Sequence, residues 1–230
     1  MSVPGHDPLF DLHGRRLVVT GAARGIGLAV ATAMLERGAV VEIWDLPTDQ
    51  LTLSERDLGG RFPGRLVTRA LDVSDVSAVT AAAAAAEAAG PVDVLVNAAG
   101  ISSQRRQALE IPDGDWARMM AVNLNGPWNT CRALGRAMLA RGRGSVINVA
   151  STNSIDPSPG IAHYCVSKAG LAMLTKCLAL EWASAGVRVN AVGPGPIKTP
   201  MTLPILEADP AVRAGRAGCP WAASATPRTS

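Results

Sequence analysis

Short unbroken runs of Val, Ile and Leu alternate along this chain with stretches of helical period, and that alternation leaves few folds open. The runs are "RLVVT" (16–20), "AVVEIWD" (39–45), "RLVTRALDV" (65–73), "VDVLVNAAG" (92–100), "GSVINVAS" (144–151) and "VRVNAVGPG" (187–195). A strand that is apolar on both faces has to be covered on both faces, which antiparallel hairpins with one wet face do not require. Between the runs lie helical stretches such as "GIGLAVATAMLERG" (25–38) and "DVSAVTAAAAAAEAAG" (75–90). The second is nearly low-complexity, but Ala is the best helix former and a plain surface helix accounts for it. Strand–helix alternation with right-handed crossovers predicts the α/β class: a single doubly wound parallel sheet with helices on both faces.

Composition supports a globular domain and removes several partners. Of 230 residues, 48% are hydrophobic against 18% charged, which excludes a disordered chain. A net charge of +3 with no basic cluster argues against a nucleic-acid partner. The opening "MSVPGHDPLFDLHGRR" has no apolar core after a basic start, and no apolar run approaches the ~20 residues that span a bilayer. Cys131, Cys165, Cys177 and Cys219 show neither CxxC nor metal-ligand spacing, so they read as reduced thiols of a cytoplasmic protein, with no metal site. No linker precedes residue 200 or so; the expected division is a domain over 1–203 and an irregular tail over 204–230.

The first apolar run leads directly into "TGAARGIG", with Thr20, Gly21, Gly25 and Gly27, and a helix follows. Glycines allow the tight turn and a close approach of backbone to a diphosphate, while the helix start offers free N–H groups and a positive dipole end. The spacing is GxxxGxG, and its strand–turn–helix context is what makes it a dinucleotide signal. Asp45 ends the second run, where a carboxylate can accept from adenosine ribose hydroxyls and repel a 2′-phosphate. Arg24 in the turn is the one opposing charge. Asp45 is weighted above it, so NAD is expected over NADP.

The chain's single tyrosine, Tyr164, stands four residues before Lys168 in "HYCVSK". On a helix the two share one face. A phenol has a pKa near 10, and exchanging a proton near neutrality requires a fall of about 3 units, roughly 4 kcal/mol. An ammonium beside it, with a positively charged nicotinamide ring, can supply that in a site of low dielectric. Thirteen residues before the tyrosine, at a strand end, Ser151 could hold the substrate oxygen. His163 is adjacent to Tyr164, but neighbouring helical residues point about 100° apart, which turns it elsewhere. The tryptophans (Trp44, Trp116, Trp128, Trp182, Trp221) read as core or interface residues.

With these features in view the chain resembles the short-chain dehydrogenase/reductase family from about residue 12 to 203. The family's motifs occur in order: "TGAARGIG", "LDV" around Asp72, "NAAG" (97–100), Asn123 in "VNLNG", Ser151, "YCVSK" and "VGPGPIKT" (192–199). The resemblance implies a Rossmann sheet and an NAD-dependent oxidoreductase acting on CH–OH groups. It implies Tyr164 as general acid/base, Lys168 lowering its pKa and binding the nicotinamide ribose, Ser151 orienting the substrate, and Asn123 holding a water that links Lys168 to solvent. For the cofactor it implies Thr20, Gly21, Arg24, Gly25, Ile26 and Gly27 in the turn, and Asp45 at the ribose. Asp72 and Val73 would meet the adenine, and Asn97, Ala98 and Gly100 would line the groove. Pro194, Gly195, Ile197 and Thr199 would complete the nicotinamide end. Members are commonly homotetramers, the expected state here with a complete C-terminus.

The expected substrate is a small polar alcohol or carbonyl compound of sugar-acid or polyol type. A 3-oxoacyl thioester reductase is the alternative, though that activity usually goes with NADP. A catalytically impaired NAD-binding protein is the second alternative, because the C-terminus departs from the family. The ending "RAGCPWAASATPRTS" has no apolar period of either kind, where relatives continue with a helix and a last strand. GC-rich codons for Cys219 to Ser230, read one base earlier, can spell "LPLGRFGDPEDI", which looks like the family's continuation. One glycine in it is forced by the Trp221–Ala222 junction. A frameshift near 213–218 is therefore expected, with the last strand missing and "VRVNAV" left as an unpaired apolar sheet edge.

Overall fold

In the computed structural model, which describes residues 10–102 and 104–203, the six apolar runs become six parallel strands. They are β1 (Arg16–Thr20), β2 (Val40–Asp45), β3 (Leu66–Ala70), β4 (Val94–Asn97), β5 (Gly144–Val149) and β6 (Val187–Val192), in the spatial order β3-β2-β1-β4-β5-β6. The order propagates outward in both directions from the β1–β4 pair. That reversal opens a crevice beyond the carboxyl ends of the central strands. Helices α1 (Gly25–Glu36), α2 (Asp49–Arg61), α3 (Val76–Ala88), α4 (Asp113–Met120), α5 (Gly126–Arg141) and α6 (Ala162–Trp182) fill the crossovers. Between α4 and α5 the backbone widens into one π turn, Ala121–Asn125.

The pleat explains why the strands read as unbroken apolar runs. In β1, Leu17 and Val19 join a core with Ala31 and Leu35 of α1 and Leu51 and Leu58 of α2. Val18, between them in sequence, belongs to the opposite core with Leu134 and Met138 of α5 and Leu178 and Trp182 of α6. The alanine run of α3 supplies Ala82, Ala83 and Ala86 to that second core, so it is a packed helix. Its first turn is capped by the Asp75 carboxylate, which accepts from the Ser77 and Ala78 N–H groups.

Strand boundaries are tighter than the apolar runs. After the Leu71 N–H donates to the Asp45 carbonyl at 2.7 Å, Asp72 accepts from both the N–H and hydroxyl of Ser74 and turns the chain out of the sheet. β4 stops at Asn97, because "AAG" leaves the ladder to cross the glycine turn. Among the described residues β6 is paired on one side only, by β5, and Val192 is 54% exposed. The tail expected over 204–230, the shift near 213–218 and the further strand lie outside the described residues, as do Cys219 and Trp221. Among the described residues no helix is long and apolar enough to cross a membrane, and no cluster of His, Cys, Asp and Glu has the makings of a metal site.

Candidate active site

The crevice at the carboxyl ends of β1 and β4 is a groove of about 220 Å³. The glycine turn forms its floor, and close approach explains why glycine is needed there. Gly21 has φ +65°, and a Cβ on it would sit 2.5 Å from the Ala99 Cα. A Cβ on Gly27 would sit 2.2 Å from the Gly21 carbonyl oxygen, so α1 could not pack this close to the turn. Gly25 also has positive φ. Helix α1 opens into the groove at Gly25 with no side-chain cap. Its first N–H groups and dipole end are thus presented to an anionic group. Arg24, exposed, and Ile26 line the same floor.

Asp45 faces the groove from the end of β2, and its carboxylate is held in place: the Ala23 N–H donates to one oxygen and the Leu46 N–H to the other, each at 2.8 Å. A second carboxylate, Asp72, lies in the same lining with Val73. Partial burial pushes Asp72 up, but the Ser74 hydroxyl, the Ser74 N–H and the Arg118 guanidinium together hold it below the usual carboxylate range. Arg118 reaches it from α4 with a 3.0 Å ion pair.

At the other end of the groove stand Ser151, Tyr164 and Lys168. Ser151 caps a short turn by accepting from the Asn153 N–H at 3.1 Å, and its hydroxyl is hydrogen-bonded to the Tyr164 phenol. Lys168 is one turn further along α6, 5% exposed, with Nζ donating to the Val149 carbonyl at 2.8 Å. Burial lowers its pKa to about 8. The expected fall of the Tyr164 pKa is not what this geometry gives. Burial pushes the phenol above its ordinary value, Cys165 adds to the rise, and only Ser151 pulls against it. One N–H of the Lys168 ammonium goes to the Val149 carbonyl, and low dielectric disfavours the phenolate.

Three residues expected at the site hold it from behind; their side chains are buried outside the lining. Thr20 accepts from the Ala99 N–H at 3.1 Å and ties β1 to the loop after β4. Asn97 sits in a buried polar chain: Thr130 donates to its carbonyl (2.6 Å), its amide donates to Asn148 (2.9 Å), and Asn148 donates to Thr175 (2.8 Å). Asn123, in the π turn, clamps Ile101 by accepting from its N–H (2.8 Å) and donating to its carbonyl (3.0 Å), and also donates to Ser167 (3.2 Å). Its Oδ1 and the Lys168 Nζ both face Gly100, where a Cβ would lie 3.4 and 3.5 Å from them. His163 is buried and lies outside the lining, as its helical position implied.

Ala98, Gly100, Pro194, Gly195, Ile197 and Thr199 all line the groove. Thr199 passes over the glycine turn, 3.6 Å from where a Gly25 Cβ would be, and its N–H donates to Thr202. Sequence reasoning missed a number of lining residues, among them Leu46, Leu71, Ile101, Val122 and Arg118, and it read Trp44, which also lines the groove, as core or interface. The apolar four follow or precede motif residues and could have been inferred from adjacency. Arg118 carries no local signal, because its partner is 46 residues away.

An uncapped helix start over a glycine turn, at the switch point of such a sheet and with a Ser–Tyr–Lys cluster at one end, is the architecture of a short-chain oxidoreductase. The chain belongs to the short chain dehydrogenase family, whose family model matches residues 15–210. It is 44% identical to the galactitol 2-dehydrogenase (L-tagatose-forming) of Cereibacter sphaeroides over 201 residues, 86% of this chain and 78% of that one. A 3-oxoacyl-[acyl-carrier-protein] reductase of Thermotoga maritima is 37% identical, over 83% of this chain and 77% of its own. Among solved structures, the gluconate 5-dehydrogenase from Burkholderia cenocepacia J2315 in complex with NADP and tartrate superposes with a TM-score of 0.81 at 36% identity. That superposition covers 91% of this chain and 84% of the other. The family is one of oxidoreductases that use nicotinamide cofactors.

Proposed function

We propose that this chain is an NAD(H)-dependent oxidoreductase that moves hydride between nicotinamide and a secondary alcohol or ketone, with a small polar hydroxy compound of polyol or sugar-acid type as substrate. The observation that carries the reading is the hydrogen-bonded Ser151–Tyr164 pair, with Lys168 one turn on, in a groove whose far end is closed by Asp45. The residues fit a dinucleotide: an uncapped helix N-terminus for the diphosphate, and an oriented carboxylate for ribose hydroxyls. A bound nicotinamide supplies the hydride acceptor or donor.

The protein's own part is to place and move a proton. Ser151 holds the substrate oxygen beside the Tyr164 hydroxyl. In oxidation the Tyr164 phenolate takes the carbinol O–H proton as hydride leaves the carbon; in reduction the phenol returns it. Lys168, anchored through one N–H to Val149, keeps two N–H donors for the groove and a positive charge beside the phenolate. Asn123 holds the loop at Ile101 against α6 and so fixes the wall beside Lys168.

Polyol chemistry is supported by the likeness to the galactitol dehydrogenase. The likeness to the 3-oxoacyl reductase favours a second reading, thioester reduction with NADP. Measuring reduced nicotinamide with galactitol, gluconate and a 3-oxoacyl thioester, each with both cofactors, separates them. The first reading expects NAD-dependent polyol or hydroxyacid oxidation that vanishes in Tyr164→Phe. Faster NADPH consumption with the thioester would replace it, and no turnover despite NAD binding would mark an impaired enzyme.

A further inference from the structure

Ser154 lies outside the groove, yet its hydroxyl joins two residues that line it. It accepts from the Ser151 N–H at 3.3 Å and donates to the Lys168 carbonyl at 3.0 Å. A helical carbonyl takes one N–H from the following turn and keeps a second acceptor position, so this bond displaces none of the helix's own. The head of the same lysine is held by the Val149 carbonyl at 2.8 Å. Lys168 is therefore gripped at both ends, by side chain and by backbone, and both grips come from one segment, residues 149–154. The turn's other bonds serve different ends. Ser154 N–H to the Ser151 carbonyl (3.0 Å) and Asn153 N–H to the Ser151 hydroxyl (3.1 Å) close the turn on itself. Thr152 N–H to the Pro194 carbonyl (3.1 Å) ties it to the chain after β6.

The grip fixes a separation that local structure leaves open. Ser151 follows the end of β5 and Lys168 stands in the second turn of α6, with residues 155–161 forming neither helix nor strand between them. Connections of this kind move more than the elements they join. We propose that Ser154 is a positioning residue: its hydroxyl sets Ser151 at the level along α6 where the Ser151 hydroxyl meets the Tyr164 phenol and the Lys168 charge lies beside both. This rests on the oxidoreductase reading above. A misplacement of about 1 Å in a reacting group can cost on the order of 100-fold in rate, so removing that slack matters more to turnover than to folding.

The chain's single tyrosine makes the test direct, because tyrosinate absorbance titrates Tyr164 alone. Burial holds the phenol above its ordinary value, and the Ser151 hydrogen bond pulls against it, with Cys165 the neighbour that adds to the rise. Lys168, with its pKa lowered to about 8, is neutral at the pH of that titration, so the midpoint reports the Ser151 contact. In the cofactor-free protein Ser154→Ala should loosen the contact and move the midpoint further up, by about 0.5 unit. Ser154→Thr keeps the hydroxyl and should leave the midpoint where wild type has it. With cofactor and a substrate that wild type turns over, Ser154→Ala should lower kcat about 10-fold, KM and the NAD dissociation constant staying within about 3-fold. Ser154→Thr should recover at least about half of the wild-type kcat. An unmoved midpoint or an unchanged kcat in Ser154→Ala would overturn the inference. So would equal losses in both variants, or a midpoint that falls toward the ordinary phenol value together with the melting temperature, which mark a hydroxyl that only holds the fold. A wild type that turns over no substrate removes the oxidoreductase reading instead, and the titration still decides whether Ser154 sets the Ser151–Tyr164 contact.

Discussion

Replacing Lys168 by methionine separates the lysine's catalytic role from its effect on the fold. The ammonium is 5% exposed and its pKa is lowered from 10.5 to about 8 by burial. That gap corresponds to about 3 kcal/mol of strain on the folded state at neutral pH. Methionine removes the buried charge but also the hydrogen bond to the Val149 carbonyl, which costs roughly 1.5–3 kcal/mol for a charged donor. The two nearly cancel, so at pH 7 the variant should melt within about 1–2 kcal/mol of wild type. The pH dependence should differ. A lysine with a folded pKa below its unfolded value burdens the fold fully below about 8. Between about 8 and 10.5 the unfolded chain binds the proton and the folded chain does not, so stability is recovered as pH rises. From pH 7 to 9 wild type should gain about 1 kcal/mol relative to Lys168→Met, roughly 2–4 °C in melting temperature for a chain this size. Circular-dichroism melts of both proteins without cofactor at pH 7, 8 and 9 measure it. Parallel shifts would refute the buried ammonium. Turnover of the variant should fall by at least about 100-fold whatever the melts show.

Tyr164→Phe should lower turnover by about 1000-fold while the NAD dissociation constant, from tryptophan fluorescence quenching, moves less than about 3-fold; retention of more than a tenth of the activity would remove Tyr164 from the proton path. Asp45→Ala should shift the kcat/KM ratio toward NADP. It should also destabilise the chain by about 1–2 kcal/mol, because the Ala23 and Leu46 N–H groups lose their acceptor; a wild type that already favours NADP would hand control to Arg24. Asn97→Ala leaves the buried Asn148 carbonyl without its donor, while the Thr130 hydroxyl falls back on the Gly126 and Pro127 carbonyls, and urea unfolding should show a loss of about 1–3 kcal/mol with cofactor preference unchanged.

What could be read in the sequence and what could not divide along a physical line. The strands were legible because burial on both faces forces apolar residues at every position, as with Leu17, Val18 and Val19. The glycine turn was legible because contacts of 2.2 and 2.5 Å tolerate no other residue. The strand ends were overrun, since Asp72 and the "AAG" after Asn97 look extended locally while their hydrogen bonds leave the ladder. Thr20, Asn97 and Asn123 belong to motifs that mark the site, yet a motif does not say which way a side chain points. Their hydrogen bonds run to residues 22 to 79 positions away, beyond any local pattern. The direction of the Tyr164 shift was out of reach for a related reason: spacing places a lysine nearby, while burial and the Val149 carbonyl decide what that lysine does.

The charges along the groove follow an order that a single small ligand would not require. One end holds two carboxylates, Asp45 fixed by backbone N–H groups and Asp72 fixed by Ser74 and Arg118; both are hydrogen-bond acceptors with their geometry already set. The middle is the open start of α1, a row of donors suited to anions. The other end holds a buried ammonium and a neutral phenol. Sugar hydroxyls and a purine amine match the first, a diphosphate the second, and a ribose with a reacting carbinol the third. Desolvation acts on both titrating groups of the third station, keeping the phenol protonated and drawing the ammonium toward neutrality. A cationic ring bound beside them would reverse the first effect and reinforce the second, since positive charge favours phenolate and disfavours a second ammonium. The raised phenol and the lowered lysine are then two consequences of one burial, and on the proposed mechanism a ligand that brings positive charge would free the proton that burial holds on the phenol.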